Sequence, residues 1–195
     1  KSLSLSSSLL KSNFSNFKIF TIEPTDYAFK KQISNINLNQ KLKKKIFSYN
    51  NFISNKKNKP KKIYSSWSLD TNKTLDHTHK IHKGILKKIN KSTKNISLDD
   101  FIKKNKIKDQ IILKIDVDGF EMDVLKSSVE TLKRLSPTIF IEYAPYSFAE
   151  HGSSVNEFYR FIRRFNYQMF DLNFNKLCKV KISEGSSKDI ILIKD

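Results

Sequence analysis

Residues 111–121 constrain the fold of this chain more than any other segment. The first five are mostly branched aliphatics, and a compact group of Asp116, Asp118 and Gly119 follows directly. Such a run is typical of a buried strand that turns sharply at a glycine and continues into a helix packed back on the sheet. Open α/β sheets bind ligands at the carboxyl ends of their strands, where the two aspartates would lie. The sequence therefore predicts a candidate site at this strand end.

A helix is predicted to follow Gly119. Apolar residues recur there at the spacing of one helix face, and Glu121 and Asp123 favour the positive end of the helix dipole. Pro137 cannot continue a helix, so the helix should end before it. The predicted apolar face consists of Met122, Leu125, Val129 and Leu132.

Carboxylates also follow two other predicted strands. Residues 17–22 alternate apolar and polar side chains and lead into Glu23, and residues 138–141 lead into Glu142 and Tyr143. In nucleotide-binding α/β folds, an acid at such a strand end usually accepts hydrogen bonds from ribose hydroxyls. Glu23 is therefore interpreted as a ligand-binding residue, with a solvated turn residue as the alternative.

Strands that alternate with helices predict an α/β fold with a doubly wound, mostly parallel sheet. Residues 167–172 and 190–193 predict an antiparallel pair at the carboxyl end. A chain of 195 residues fits one domain, with residues 56–95 as an insertion or long loop within it. No apolar run approaches the ~20 residues of a membrane span. The single cysteine, Cys178, fits a reducing compartment, so we expect a cytoplasmic protein.

The net charge of +18 raises the hypothesis of a basic nucleic-acid-binding module. Only four of the 37 basic residues are arginine, although proteins that clamp phosphates usually favour the arginine fork. The lysines are scattered through predicted loops and helix faces, which favours solvated surface lysine. Nucleic-acid binding would require a group of lysines to converge on one face, among them Lys41, Lys43, Lys44, Lys56 and Lys57.

Three histidines, His77, His79 and His82, lie close together in the predicted long loop. A fourth zinc ligand is not evident and no Cys-x-x-Cys partner accompanies them, so no metal site is assigned. Long loops in compact domains are often functional, and His82 is therefore a candidate for the base of a reaction. Plain surface histidine is the alternative.

Several motifs occur along the chain in an order that resembles the FkbM-type methyltransferase family, S-adenosylmethionine-dependent enzymes with a Rossmann-like fold. The central motif is the most specific of them, although the family more often has Glu at the position of Asp118. The motifs are Ile22-Glu-Pro-Thr25, Asn35-Ile-Asn-Leu-Asn39, Ile96-Ser-Leu-Asp-Asp-Phe101, Leu113-Lys-Ile-Asp-Val-Asp-Gly-Phe-Glu121, Val124-Leu-Lys126, the stretch from Pro137 to Glu142, and the closing Lys188-Asp-Ile-Ile-Leu-Ile-Lys194.

One part of that family's pattern is not found. Its first strand and the Asp-x-Gly-x-Asn-x-Gly loop that cradles the methionine part of the cofactor are missing, and no glycine occurs before Gly84. Residues 1–12 resemble the helix that would follow this loop. We therefore expect a domain that is incomplete at its amino-terminal end and binds the cofactor poorly by itself.

The resemblance implies a methyltransferase that uses S-adenosylmethionine and methylates an oxygen of a small-molecule or sugar acceptor. By the same resemblance, Glu23 would bind the cofactor ribose, and Asp116 would lie nearest the methionine moiety and the acceptor. Asp118 and His82 are candidates for the base, because a base must reach the acceptor hydroxyl. The substrate contacts are assigned to Glu142 and Tyr143.

Three alternatives stay open. Asp116 and Asp118 could hold Mg²⁺, because hard cations take clustered carboxylate ligands, although the family resemblance does not require a metal. Asp118 and Gly119 could instead form an ordinary strand-to-helix turn without a catalytic role. The missing loop also fits a non-catalytic remnant of a methyltransferase.

Overall fold

The structure, a computed structural model, describes residues 17–55, 60–65, 85–183 and 185–195. None of the described helices is long and apolar enough to cross a membrane. The strands are β1 Ile19–Ile22, β2 Ile46–Tyr49, β3 Asn51–Ile53, β4 Lys62–Ser65, β5 Ile85–Lys88, β6 Lys94–Ile96, β7 Ile112–Ile115, β8 Thr138–Tyr143, β9 Tyr167–Phe170, β10 Lys176–Leu177 and β11 Lys188–Lys194. The helices are α1 Asp26–Leu38, α2 Gln40–Lys43, α3 Leu98–Lys104, α4 Glu121–Lys126, α5 Val129–Arg134, α6 Pro145–Glu150 and α7 Val155–Arg164.

The largest sheet has five strands in the order β10-β9-β11-β8-β7. β7 and β8 run parallel, whereas β11 is antiparallel to both β8 and β9, and β9 is antiparallel to β10. The α/β class is therefore confirmed, and β9 with β11 forms the expected antiparallel pair. The sheet is mixed, however, and the other described strands pair as β1-β2, β3-β6 and β4-β5. Residues 56–95, predicted as an insertion or long loop, include β4 and β5.

The described residues fall into two compact units. The first comprises those within Lys1–Phe52, Asn58–Ile63 and Leu86–Asn95, and the second those within Ile53–Lys57, Tyr64–Ile85 and Ile96–Asp195. In the first unit, β1 pairs in parallel with β2, and α1 begins after its N-cap residue Thr25. The strand agrees with the alternating pattern of residues 17–22 that predicted it.

The core of the second unit is built on β8 and β11. Alternate residues of β8 are buried, as expected for a strand with one face on the core. In β11 the three consecutive residues Ile190, Ile191 and Leu192 are each at most 1% exposed. Because successive side chains of a strand point to opposite faces, the sheet is covered on both sides at this strand.

The segment after the β7 turn forms two short helices, so the prediction of one continuous helix is wrong. The break lies at Ser127 and Ser128, whose hydroxyls donate to the carbonyl oxygens of Val124 (2.8 Å) and Leu125 (2.7 Å). Serine commonly competes in this way with the helical hydrogen-bond pattern. Three of the four predicted face residues are buried, with Met122, Leu125 and Leu132 each 1% exposed, and Val129 is half-buried.

Asp99 fixes the helix that follows this break. Its carboxylate accepts hydrogen bonds from the backbone N–H groups of Glu130 (3.0 Å) and Thr131 (2.7 Å) and from the Thr131 hydroxyl (2.7 Å). Ser97 caps its own helix α3, because its hydroxyl oxygen accepts a hydrogen bond of 3.0 Å from the Asp100 N–H. The Ser-Leu-Asp-Asp motif therefore caps the amino-terminal ends of both α3 and α5.

We expect Asp99→Ala to lower the free energy of unfolding by about 1–2 kcal/mol, because it removes the cap of α5. Urea denaturation followed by circular dichroism measures this change. Asp109→Ala is the matched control, since Asp109 is exposed and should change stability by no more than about 0.5 kcal/mol. Equal stability losses in the two variants would contradict the capping role.

Candidate functional site

The carboxyl ends of β7 and β8 bring two of the predicted site residues side by side. Ile115 of β7 pairs with Ile141 of β8 in parallel register. Asp116 and Glu142 follow these paired residues directly, so they occupy matching positions on strands that lie ~4.8 Å apart. The predicted site therefore starts from two neighbouring carboxylates.

The turn after β7 has an unusual backbone. Asp118 has a φ of +49° and Gly119 a φ of +103°. A left-handed φ is uncommon for a residue with a side chain, although aspartate tolerates it better than most, and the region near +103° is essentially restricted to glycine. Two such residues in succession reverse the chain between β7 and α4 within a few residues and leave Asp118 at the tip.

Glu121 holds this turn in place. Its Oε1 accepts hydrogen bonds from the backbone N–H groups of Val117 (3.1 Å) and Gly119 (3.2 Å). The side chain is fully buried, and among the described residues its Oε2 has no hydrogen-bond partner. Burial raises the pKa of Glu121 from 4.5 to about 7, although the backbone N–H groups oppose this rise. The pKa of the Glu121 carboxyl group therefore lies near neutral pH.

A histidine packs directly against the same turn. A Cβ atom added at Gly119 would lie 2.5 Å from Cδ2 and 2.7 Å from Nε2 of His151, so only glycine leaves room for the imidazole. The ring centroid of His151 lies 4.0 Å from that of Phe120. The structure thus places an imidazole side chain beside the turn that follows Asp116.

The charges at this end of the sheet influence one another. Burial raises the pKa of the Tyr146 hydroxyl, and the carboxylates of Glu142, Asp118 and Glu121 raise it further. Glu142 also contributes to the raised pKa of Glu121. Together with Asp116 at the end of β7, these three carboxyl groups form the acidic cluster. The acidic cluster is defined here as Asp116, Asp118, Glu121 and Glu142. It is a local exception in a chain with 37 basic and 19 acidic residues.

Two members of the acidic cluster have polar partners. Asp116 forms an ion pair with Lys114 of the same strand, with 3.0 Å between Nζ and Oδ2, and its side chain is 24% exposed. Glu142 accepts a hydrogen bond of 2.6 Å from the Ser187 hydroxyl at the start of β11. Both carboxylates are partly accessible and can meet a ligand.

Tyr143, predicted to contact the substrate, lies in an aromatic group of the core. It is 2% exposed, and its hydroxyl donates a hydrogen bond of 3.3 Å to the hydroxyl of Tyr159. Its ring also packs against Phe148 and Phe158. The substrate contact of Tyr143 stays a prediction, while the next tyrosine along the chain, Tyr146, is the one influenced by the acidic cluster.

Glu23 belongs to the first unit and directly follows β1. Its Oε1 accepts hydrogen bonds from the backbone N–H (2.8 Å) and the hydroxyl (2.5 Å) of Thr25. Its own N–H donates to Tyr49 O, and its carbonyl accepts from the Asn50 side chain. The carboxylate is therefore fixed at the strand end, as the sequence pattern predicted, and its ribose contact stays a prediction.

His82 lies outside the described residues, as do His77 and His79. Within the described ranges, no group of three or more His, Cys, Asp or Glu side chains is arranged to hold a metal ion.

Sequence reasoning missed two residues of this site. Glu121 was interpreted only as a favourable charge at a helix start, although an acid two residues after Gly119 is spaced to cap the turn itself. His151 gave no sequence signal, because it lies 32 positions after Gly119 and meets it only through the packing of α6.

Comparison with known proteins confirms the resemblance. Residues 5–169 match the family model of the methyltransferase FkbM domain. Among solved structures, the chain is similar to methyltransferase FkbM from Methylobacillus flagellatus KT, with a TM-score of 0.55 and 13% sequence identity. The similarity covers 98% of this chain and 40% of that protein, and at this identity it concerns the fold. No curated protein matches the chain significantly.

Gly119→Ala should destabilise the protein strongly. An added Cβ would meet the His151 ring and would also be held at a left-handed φ, so we expect a loss of about 2–5 kcal/mol in unfolding free energy. Gly152→Ala is the matched control, because Gly152 also has a left-handed φ of +73° but has nothing within 4 Å of the added atom. It should cost about 1–2 kcal/mol. Equal losses in both variants would contradict the close approach of His151.

Glu121→Gln should change how stability depends on pH. A carboxyl whose pKa is raised in the folded state destabilises that state as pH rises from the unfolded to the folded pKa. The measured quantity is the unfolding free energy of the parent minus that of the variant. This difference should fall by about 3 kcal/mol as the pH rises from about 4.5 to about 7. Urea titrations across this window measure the difference, with the exposed Glu130→Gln as control. A difference that stays constant with pH would rule out a buried ionisable Glu121.

Proposed function

This chain belongs to the FkbM methyltransferase domain family, and we propose that the protein transfers a methyl group from S-adenosylmethionine to an oxygen of a small-molecule or sugar acceptor. The observation that carries the proposal is the acidic cluster at the adjoining ends of β7 and β8. In a chain of net charge +18, a patch of carboxylates at a strand end is suited to a positively charged ligand. S-adenosylmethionine is such a ligand, with a sulfonium and an ammonium group.

By the family resemblance, two carboxylates are proposed as cofactor contacts. Asp116 is partly exposed at the strand end and can face the positively charged methionine end. Glu23, fixed after β1 by Thr25, can accept hydrogen bonds from ribose hydroxyls. The glycine-rich loop of the family is not found in residues 1–195, so these two carboxylates are the cofactor contacts that we propose.

When bound, the cofactor would supply an electrophilic methyl carbon for in-line attack by the acceptor oxygen, with an O–C bond formed, the C–S bond broken and S-adenosylhomocysteine as the leaving group. The residues of the chain have to align the acceptor and take up its proton. Asp118 stands at the tip of the β7 turn, and His151 lies against the turn. This proximity supports our proposal that one of the two is the base. Imidazole is the side chain most often used to move protons near neutral pH. His82 stays a further candidate for the base.

The acceptor contacts are proposed for the side of the cluster formed by β8 and α6. Glu142, held by the Ser187 hydroxyl, can orient an acceptor hydroxyl. Tyr143 is proposed to shape this side, and Tyr146 adds a hydroxyl influenced by the same carboxylates. Glu121 is too deeply buried to touch a substrate, so its role is to position the turn that carries Asp118.

The remaining expectations complete the proposal. We propose that residues 1–195 form one methyltransferase domain, that residues 56–95 are an insertion in it, and that the sheet belongs to a Rossmann-like, doubly wound arrangement. The cytoplasm is the proposed location, because the single exposed Cys178 suits a reducing compartment.

Titration calorimetry with S-adenosylmethionine tests the proposal. It should be run on residues 1–195 and on a version extended by any residues encoded upstream of Lys1. We expect binding in at least the extended version, and Asp116→Asn should weaken it by about tenfold to a hundredfold, because it removes a charged contact. Asp109→Asn, an exposed aspartate away from the strand end, should leave the affinity unchanged. Absence of binding in both versions would overturn the proposed function.

A further inference from the structure

The hairpin of β9 and β10 displays two apolar side chains that the fold does not use. Residues 171–175 connect the strands at the β10 edge of the five-stranded sheet. Leu172 is 55% exposed and Phe174 is 63% exposed. Single exposed apolar residues are common, but here two of them lie on one short turn. We refer to residues 171–175 as the apolar tip.

Phe174 occupies a backbone conformation that disfavours it. Its φ is +64°, which is a genuine outlier for a bulky side chain. Asparagine adopts this conformation more easily, and Asn173 and Asn175 flank the position. Neither the turn geometry nor core packing therefore accounts for a phenylalanine. Strained residues that the fold does not need point to a function outside it.

The turn is firmly built in spite of this strain. Asp171 Oδ1 accepts the backbone N–H groups of Asn173 (2.9 Å) and Asn175 (2.8 Å), and its Oδ2 accepts the Asn175 side-chain amide (3.0 Å). The Phe174 N–H donates to Asp171 O, and the Asp171 N–H donates to Asn175 O. These hydrogen bonds fix the conformation of the apolar tip in the unbound protein. This pre-organisation limits the conformational entropy lost on binding.

Positive charge predominates in the segment that follows the apolar tip. Between residues 172 and 189 the sequence has four lysines, all exposed, and two acidic residues, Glu184 and Asp189. Lys188 is close enough to Asp171 to help lower the pKa of that carboxyl, after the larger effect of the Asn175 hydrogen bonds. Asp171 itself is occupied within the turn. The lysines are Lys176, Lys179, Lys181 and Lys188.

We propose that the apolar tip and its lysines dock the protein on a membrane surface that carries anionic lipid headgroups. Apolar side chains at the tip enter the boundary between headgroups and acyl chains, while the lysines meet the negative surface potential. The contact is peripheral and needs no spanning segment. It does not depend on the proposed methyl transfer.

A single-stranded nucleic acid is the other anionic surface that a basic patch with an aromatic residue can bind. Bases stack on aromatic rings, and an aliphatic side chain offers no such platform. The exposed Leu172 beside Phe174 therefore favours a lipid surface, and nucleic-acid binding becomes an outcome of the test.

Vesicle sedimentation tests the proposal, with the full chain and vesicles of phosphatidylcholine alone or mixed with phosphatidylserine. The parent should bind the mixed vesicles and not the neutral ones. The double variant L172N/F174N should reduce the partition coefficient by at least about tenfold, because it removes the apolar area that enters the interface. Leu38→Asn is the matched control, since Leu38 is 81% exposed on α1, and it should bind like the parent.

The double variant should remain folded, because asparagine suits the left-handed conformation at position 174, and its melting temperature should equal or exceed that of the parent. Four results would each overturn the proposal. The first three are no binding of the parent to anionic vesicles, equal binding to anionic and neutral vesicles, and unchanged vesicle binding in the double variant. The fourth is binding of the parent to single-stranded oligonucleotides but not to vesicles, with the oligonucleotide binding lost in the double variant.

Discussion

The hydrogen bonds from the Val117 and Gly119 amides to the buried Glu121 carboxylate determine the shape of the candidate site. They tie a turn with two left-handed residues to the first residue of the helix that follows it. Without this acceptor, the buried amide of Gly119 and the part-buried amide of Val117 would need other hydrogen-bond partners, and Asp118 would lose its fixed position at the tip. The ionisation of Glu121 therefore bears on both the stability of the fold and the geometry of the site.

The parallel pairing of β7 and β8 adds a second constraint. Since Ile115 lies opposite Ile141, Asp116 and Glu142 emerge at the same level of the sheet. Like charges on neighbouring strands repel each other. The ion pair of Asp116 with Lys114 and the hydrogen bond from Ser187 to Glu142 stabilise the two carboxylates in spite of this repulsion. A positively charged ligand would relieve it further, which is the physical basis of the proposed cofactor site.

Much of this architecture follows from local sequence patterns. The strand before Asp116, the glycine turn, the helix after Thr25 and the antiparallel pair at the carboxyl end are all determined by short-range periodicity and turn chemistry. The break at Ser127 and Ser128 was not foreseen, because apolar periodicity continues across it while the hydroxyls and the Asp99 cap act through tertiary contacts. His151 and the mixed order of the sheet were missed for the same reason, since periodicity carries no information about which distant segments meet.

The central claim is that the carboxyl ends of β7 and β8 bind the methyl donor. Ultraviolet crosslinking of S-adenosylmethionine labelled in its methyl group, followed by peptide mapping, tests it most directly. The account predicts that the label is found in peptides that contain residues 112–126 or 138–151, and that excess S-adenosylhomocysteine prevents the labelling. Label confined to other parts of the chain, or label that the competitor does not displace, would contradict it.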